Sequence, residues 1–207
     1  MKKVIEIVLL VVIVCLGYFV YESINEPIEY EKQYNKRTTA VVNRLKLIRD
    51  AQVAYKSING KYTGSFDTLI DFVKNGQLKM LHMEGSLSDS LLAAGMTEKE
   101  AIKQGIIKRD TVYIAVKDSI CKNINPDSLR YVPYCDGQFE MGATILTTNS
   151  NLQIPVFEAK VPNKVYLKGL DEQERINKDN LAKKLERYPG IKVGSLEEAN
   201  NNAGNWE

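Results

Sequence analysis

Residues 4–21 form the run VIEIVLLVVIVCLGYFVY, which holds one charged side chain, Glu6, and this run limits what the rest of the chain can be. As a helix rising about 1.5 Å per residue it is roughly 27 Å long, close to the hydrocarbon thickness of a bilayer. A basic start followed by an apolar core also describes a cleaved signal peptide. The run ends, however, in Gly17-Tyr18-Phe19-Val20-Tyr21-Glu22, which lacks the paired small residues of a cleavage site and carries aromatic side chains of the kind that settle at a membrane interface. Val14 stands where a lipoprotein would need a small residue before Cys15. The segment therefore reads as a retained signal anchor. Lys2 and Lys3 precede it, and Glu22, Glu26, Glu29 and Glu31 follow before Lys32, an asymmetry that puts the N-terminus in the cytoplasm and the bulk of the chain outside.

The remaining residues are much more polar, although the whole chain is 44% apolar and 26% charged over 207 residues. That balance suits one medium domain with an ordinary core attached to the anchor. The 28 basic and 26 acidic side chains are spread evenly and leave no basic stripe, so nucleic acid is not expected as a partner.

Beyond the anchor, Pro27 disfavours helix at Glu26, and a kink or break is expected there with a second helix beginning. Positions Tyr34, Thr38, Val41, Leu45, Ile48, Gln52 and Tyr55 are spaced by four and three, the repeat of one helical face. This predicts an amphipathic helix over 27–60, capped by Gly60. Its stripe fits either a helix laid on its own sheet or a seam with another subunit, and the two can coexist. Ser65 is placed to cap a helix over 66–74, with Phe66, Leu69, Ile70 and Val73 on one face and Gly76 ending it. Further short helices are expected over 86–94 and 97–103, the second with Thr97 and Glu100 spaced as a capping box.

From Thr111 onward the pattern becomes β-rich, with strands expected at 111–116, 129–134, 138–147, 154–161 and 164–167. Asp136-Gly137 signals a hairpin and Pro162-Asn163 a tight connection, so an antiparallel sheet is indicated. Residues 171–187 read as a charged surface helix using Leu181, Leu185 and Tyr188, and 191–207 as a tail ordered only in part. Cys121 and Cys135, fourteen residues apart, fit either a disulfide worth about 2–4 kcal/mol or two buried free thiols.

The residues give little sign of catalysis. The one histidine, His82, sits among Met80, Leu81 and Met83, and there is no Gly-rich phosphate loop, CxxC pair or HExxH. No enzyme activity, cofactor or metal is expected, although scattered carboxylates can converge in a fold. Glu6 is the residue whose position asks for chemistry, because a carboxylate at the edge of hydrocarbon must reach the interface or meet a cation. It either snorkels toward Lys2 and Lys3 or pairs with a cation or amino terminus of a neighbouring subunit.

The apolar start with an early acidic residue, the proline beyond it, the patterned continuation Ile48-Arg49-Asp50-Ala51-Gln52-Val53-Ala54-Tyr55 and the turn Asn59-Gly60-Lys61-Tyr62 together resemble type IV pilins and type II secretion pseudopilins. The resemblance covers residues 4 to 75. It implies a pilin-like head, a pairing role for Glu6, a helix break at Pro27, and Cys121 with Cys135 as a disulfide bounding the C-terminal region. In that family a leader ending in glycine precedes the run, whereas Met1-Lys2-Lys3 precede it here, so an uncleaved pilin-like membrane component is expected.

The reading is thus an α+β protein: 1–3 a cytoplasmic N-terminus, 4–21 a transmembrane helix, 27–60 an amphipathic helix packed on an antiparallel β-sheet, 61–190 an extracytoplasmic head, 191–207 a tail. Glu6, Pro27, Tyr34, Val41, Leu45, Ile48 and Tyr55 are the candidate assembly residues. The expected partners are the membrane, other envelope or secretion-system subunits, and the chain itself through its first helix. The expected location is a bacterial inner membrane, crossed once, with the head periplasmic or extracellular. The alternative is a membrane-tethered domain that binds a ligand or cell-wall component.

Overall fold

The computed structural model describes residues 2–86, 88, 95–122, 124–148 and 151–207, with the backbone alone for Lys2, Val4, Glu6, Leu81, His82, Met83 and Arg109. One helix, α1 (Lys2–Asn59), runs for 58 residues. It ends where Gly60 takes a left-handed φ of 73° and its N–H bonds back to the Lys56 carbonyl at 2.8 Å. The expected boundary at Pro27 is not there, because the proline lies inside α1. A proline removes one N–H and crowds the carbonyl a turn earlier, here that of Ser23. Both residues are exposed, so the surrounding medium can solvate that carbonyl, and long helical stretches on either side carry the chain through.

Beyond Tyr30, α1 buries one side: Val41, Leu45, Ile48, Ala51 and Gln52 are fully inaccessible. They pack with an antiparallel sheet of β3 (Glu140–Thr147), β4 (Gln153–Pro162) and β5 (Gly190–Gly194), in the order β3-β4-β5. Alternation on β4 sends Phe157, Ala159 and Val161 into the core, where Ile191 and Val193 of β5 join them. On the other side of the sheet, Glu158 lies between Lys160 at 2.9 Å and Lys192 at 3.6 Å, offsetting the two lysines that face each other across the ladder. The α+β class and the antiparallel sheet follow the sequence reading.

Helix α2 (Phe66–Asn75) buries Phe66, Leu69, Ile70 and Val73 as its pattern predicts. Ser65 holds the N-cap position but makes no side-chain capping bond. Gly76 follows α2 because a Cβ there would lie 2.4 Å from the Phe72 carbonyl oxygen. A two-stranded antiparallel ribbon then pairs β1 (Gln77–Glu84) with β2 (Lys108–Ala115). Between them, α3 (Glu98–Lys103) has the expected capping box of Thr97 and Glu100. The helix expected over 86–94 falls almost wholly outside the described residues.

Several elements differ from expectation. Residues 129–134 are not a strand: Asn125 and Pro126 open a 3₁₀ turn (Pro126–Arg130) after α4 (Val116–Ile120), and only the single bridge Tyr131–Gln138 follows, around the Asp136-Gly137 turn. Residues 164–167 fold as a helical turn, α5 (Asn163–Tyr166), since consecutive Tyr166 and Leu167 both enter the core and a strand would send one of them outward. The C-terminal segment is not a loose tail. It supplies β5, bridges Val193 to Gly204, packs Trp206 on the core and ties Glu207 to Arg49 at 2.6 Å. Helix α6 (Glu172–Lys184), capped by Asp171, leaves Leu181 and Leu185 more than half exposed rather than packing on them. A polar contact holds it instead: the Asn163 side-chain amide donates to Asp179 at 2.7 Å, and Arg175 steadies that carboxylate from one turn away at 2.9 Å.

Gln52 explains the polar position in the stripe of α1. Its side-chain amide donates to the Thr63 carbonyl at 2.6 Å and accepts from the Thr63 N–H at 3.1 Å, so it acts as a short strand partner for the loop after α1. Gln52→Leu keeps the bulk but strands both Thr63 groups, and unfolding in urea is expected to show a loss of about 1–3 kcal/mol. A variant as stable as the parent would show that the amide does not hold this loop.

Candidate functional site

Among the described residues, the start of α1 packs against no part of the head. Every described side chain from Ile5 to Tyr21 is exposed, and Tyr30 is the first buried residue of the helix. Leaving a Val, Leu or Ile in water instead of burying it forgoes roughly 1.5–3 kcal/mol each, so an unpartnered cylinder of this kind needs an apolar surrounding. It is a single N-terminal helix long and apolar enough to span a membrane, and none of its most apolar stretch is buried inside the protein. Tyr18, Phe19 and Tyr21 stand at the end nearest the head.

The candidate assembly residues separate into different places. Val41, Leu45 and Ile48 lie in the core of the chain's own head with no accessible surface, so they cannot form a seam with another subunit. The helical repeat correctly marked a buried face, but its partner is this chain's own sheet. Tyr34 and Tyr55 flank that core, half-buried, and Tyr55 meets Phe72 edge-on with ring centres 5.2 Å apart. Pro27 is exposed on α1. The side chains of Glu6 and His82 are outside the described residues.

Cys121 and Cys135 are free thiols, so the expected disulfide is not formed. Cys121 is buried beside Arg44, and burial pushes its thiol pKa up while the nearby guanidinium opposes that shift. Cys135 is half-buried, 3.8 Å from the Val132 carbonyl. Both thiols are free, as in the second of the two arrangements that the residues allowed, but only Cys121 is buried.

Where α1 enters the head, α6 is fastened to it by Lys178. The ammonium lies 3.9 Å from the centre of the Tyr34 ring and 3.2 Å from the Glu31 carboxylate, and the Tyr30 and Tyr34 rings stack with centres 6.3 Å apart. Cation–π contact combined with an ion pair explains how a helix with no buried residue stays in place.

On the side of this fastening nearer the apolar stretch is a cleft of about 390 Å³ between α1 and the turn before α6. Its walls include Glu26, Glu29, Tyr30, Leu170, Asp171 and Glu174, and no lysine or arginine lines it. Tyr30 is only 7% exposed, yet its hydroxyl has no hydrogen-bond partner. Burial, followed by the neighbouring Tyr34, Glu174, Glu31 and Asp171, pushes its pKa up to about 12. Asp171 is occupied in part, since it accepts from the Glu174 N–H at 2.8 Å, and Glu29 accepts from Gln33 at 3.0 Å and faces Lys32 at 3.6 Å. Sequence reasoning missed this place. Continuing the α1 stripe one step back from Tyr34 reaches Tyr30, but the expected break at Pro27 ended the stripe too early.

Among the described residues, no group of three or more His, Cys, Asp or Glu side chains is placed to hold a metal ion. No family model, curated protein or solved structure matches this chain.

Proposed function

We propose that the protein is a non-enzymatic, single-pass membrane component, pilin-like in form, that holds an α+β head outside a bacterial inner membrane for a secretion or surface-assembly apparatus. The observation that carries this reading is that one helix serves as both the unpartnered apolar anchor and the central core element of the head. An antiparallel sheet on the far half of that helix supports the pilin-like description. Lys2 and Lys3 before the span and the acidic residues after it support an outward head.

With Val41, Leu45 and Ile48 used inside the head, neighbours must contact the anchor itself or the head's outer surface. The anchor offers van der Waals packing and, at Glu6, an ion pair in a medium that makes unpaired charge costly. Crosslinking of the native protein in its membranes, followed by identification of what is joined to it, tests the reading. Envelope-apparatus subunits or further copies linked through residues 5–29 are the expected result. A protein that crosslinks to neither would sink it.

A further inference from the structure

The ribbon of β1 and β2 is a sheet of its own, two strands of eight residues each, separate from the sheet that packs on α1. A two-stranded ribbon is marginal by itself and needs a further strand or a layer on its face. Its register fixes which backbone groups point outward. The Val116 N–H donates to the Gly76 carbonyl at 3.0 Å, one step beyond the pairing of Gln77 with Ala115. Hydrogen-bonded pairs alternate along an antiparallel ladder, so Asp110, Val112 and Ile114 bond to β1 while Thr111 and Tyr113 turn their N–H and C=O groups away from it. Among the described residues, those outward groups have no backbone partner.

The two edges of the ribbon differ. β1 carries Lys79, exposed, on its free edge, and a lysine there discourages pairing with another strand. β2 reads Thr111-Val112-Tyr113-Ile114-Ala115, uncharged throughout and made mainly of strand-forming residues, with Val112 43% and Tyr113 63% exposed. An open edge of this composition is a template for another extended backbone.

From this edge we infer that β2 pairs antiparallel with β2 of a second copy, about a two-fold axis at Val112. Turned end for end, the run complements itself. Thr111 falls opposite Tyr113 of the other copy, Val112 opposite Val112, and Asp110 opposite Ile114. The outward N–H and C=O groups of Thr111 and Tyr113 are then bonded on both copies, and β-branched residues meet an aromatic or each other, a favourable cross-strand combination. Charge restricts the register: an axis two residues earlier would set the two Asp110 carboxylates face to face. An axis two residues later would drive the neighbour's charged end past Ala115, where β2 gives way to α4. The product is a four-stranded sheet in which Leu78, Met80, Val112 and Ile114 of both copies share one apolar face, the minimum that a single ribbon lacks. An unrelated strand would have to bring the same uncharged run bounded by a charge, whereas a second copy brings it by symmetry.

The test uses the full chain in detergent, with Cys15→Ser to remove the exposed thiol of the apolar stretch. The paired Val112 positions are of the non-hydrogen-bonded kind, with Cα atoms about 4.5 Å apart and within reach of a disulfide. Val112→Cys is expected to give a disulfide-linked dimer on mild oxidation, and Met80→Cys, on the same face but on the far strand, none above the parent. Val112→Glu brings new carboxylates beside both Asp110 side chains, and sedimentation should show dimerisation weakened by about fivefold or more, with Tm unchanged. Mixing in an equal amount of Val112→Lys chain should restore the dimer. Absence of the Val112 linkage, equal linkage at Met80, or a Val112→Glu dimer as strong as the parent's overturns the proposal. So does a Val112→Glu defect that the lysine chain fails to restore, which marks damage to the ribbon itself. Copies that join only through residues 5–29 overturn this inference and leave the proposed function standing.

Discussion

Arginine at both Val11 and Val12 is expected to release the protein from membranes. The two valines sit midway along the apolar stretch of α1, are exposed and belong to no part of the head's core. Near the centre of a spanning helix each arginine costs about 2.5–3.5 kcal/mol on the insertion scale, and each lost valine gives up a few tenths more, for a total of about 6 kcal/mol. That is roughly four orders of magnitude in the insertion equilibrium. The head contains no part of these residues and should keep its Tm. Alkaline carbonate extraction followed by immunoblotting reads the outcome, with Val53→Arg on the exposed side of the head as a control that leaves partitioning unchanged. A double variant that still sediments with membranes would show that residues 4–21 are not the anchor.

The second large effect concerns Leu45, which the sequence offers as a seam residue and the structure places in the core. Leu45→Ala is expected to destabilise the head by about 2–5 kcal/mol through the cavity it leaves among Val41, Ile48 and the sheet. Leu45→Asp puts a carboxylate into the core at a position with no accessible surface, and is expected to unfold a head whose total stability is on the order of 5–15 kcal/mol. Loss of the cooperative thermal transition in detergent checks this, alongside Lys46→Asp, whose side chain is exposed one residue away. A Leu45→Asp head that melts with the parent would restore Leu45 to the surface. Otherwise, any assembly defect it causes reports unfolding and carries no information about contacts between subunits.

Local signals were the legible part of the fold. The apolar run, Gly60, the face of α2, the Thr97–Glu100 box and strands β2, β3 and β4 each depend on residues within a few positions of one another. Long-range pairing was not legible. β1 is held by a partner on the far side of the α3 segment, Gln77 opposite Ala115, and β5 pairs Ile191 with Val161 across α5 and α6. The alternation Ile191-Lys192-Val193 was present in the sequence, but three residues among polar ones give a weak signal without their neighbours. Periodicity in α1 identified the buried face and could not say what buries it.

The candidate site was less visible still. Tyr30 continues a readable stripe, yet Lys178, Asp171 and Glu174 come from a helix about 140 residues away whose own pattern pointed to Leu181 and Leu185. Charged residues that dock through cation–π and ion-pair contacts leave no periodic trace, because a solvated surface helix has the same composition.

The unbroken passage of α1 through Pro27 has a mechanical consequence. The apolar stretch and the core of the head lie on one helix that continues through Pro27, so on the proposed reading a turn of that stretch in a bilayer is also a turn of the sheet. At 3.6 residues per turn, each residue added between Tyr21 and Tyr30 swings the head through about 100° and lifts it about 1.5 Å. On the proposed reading, the length of this eight-residue connection thus sets the compass heading at which the sheet looks out over the membrane, and the cleft at its foot turns with it.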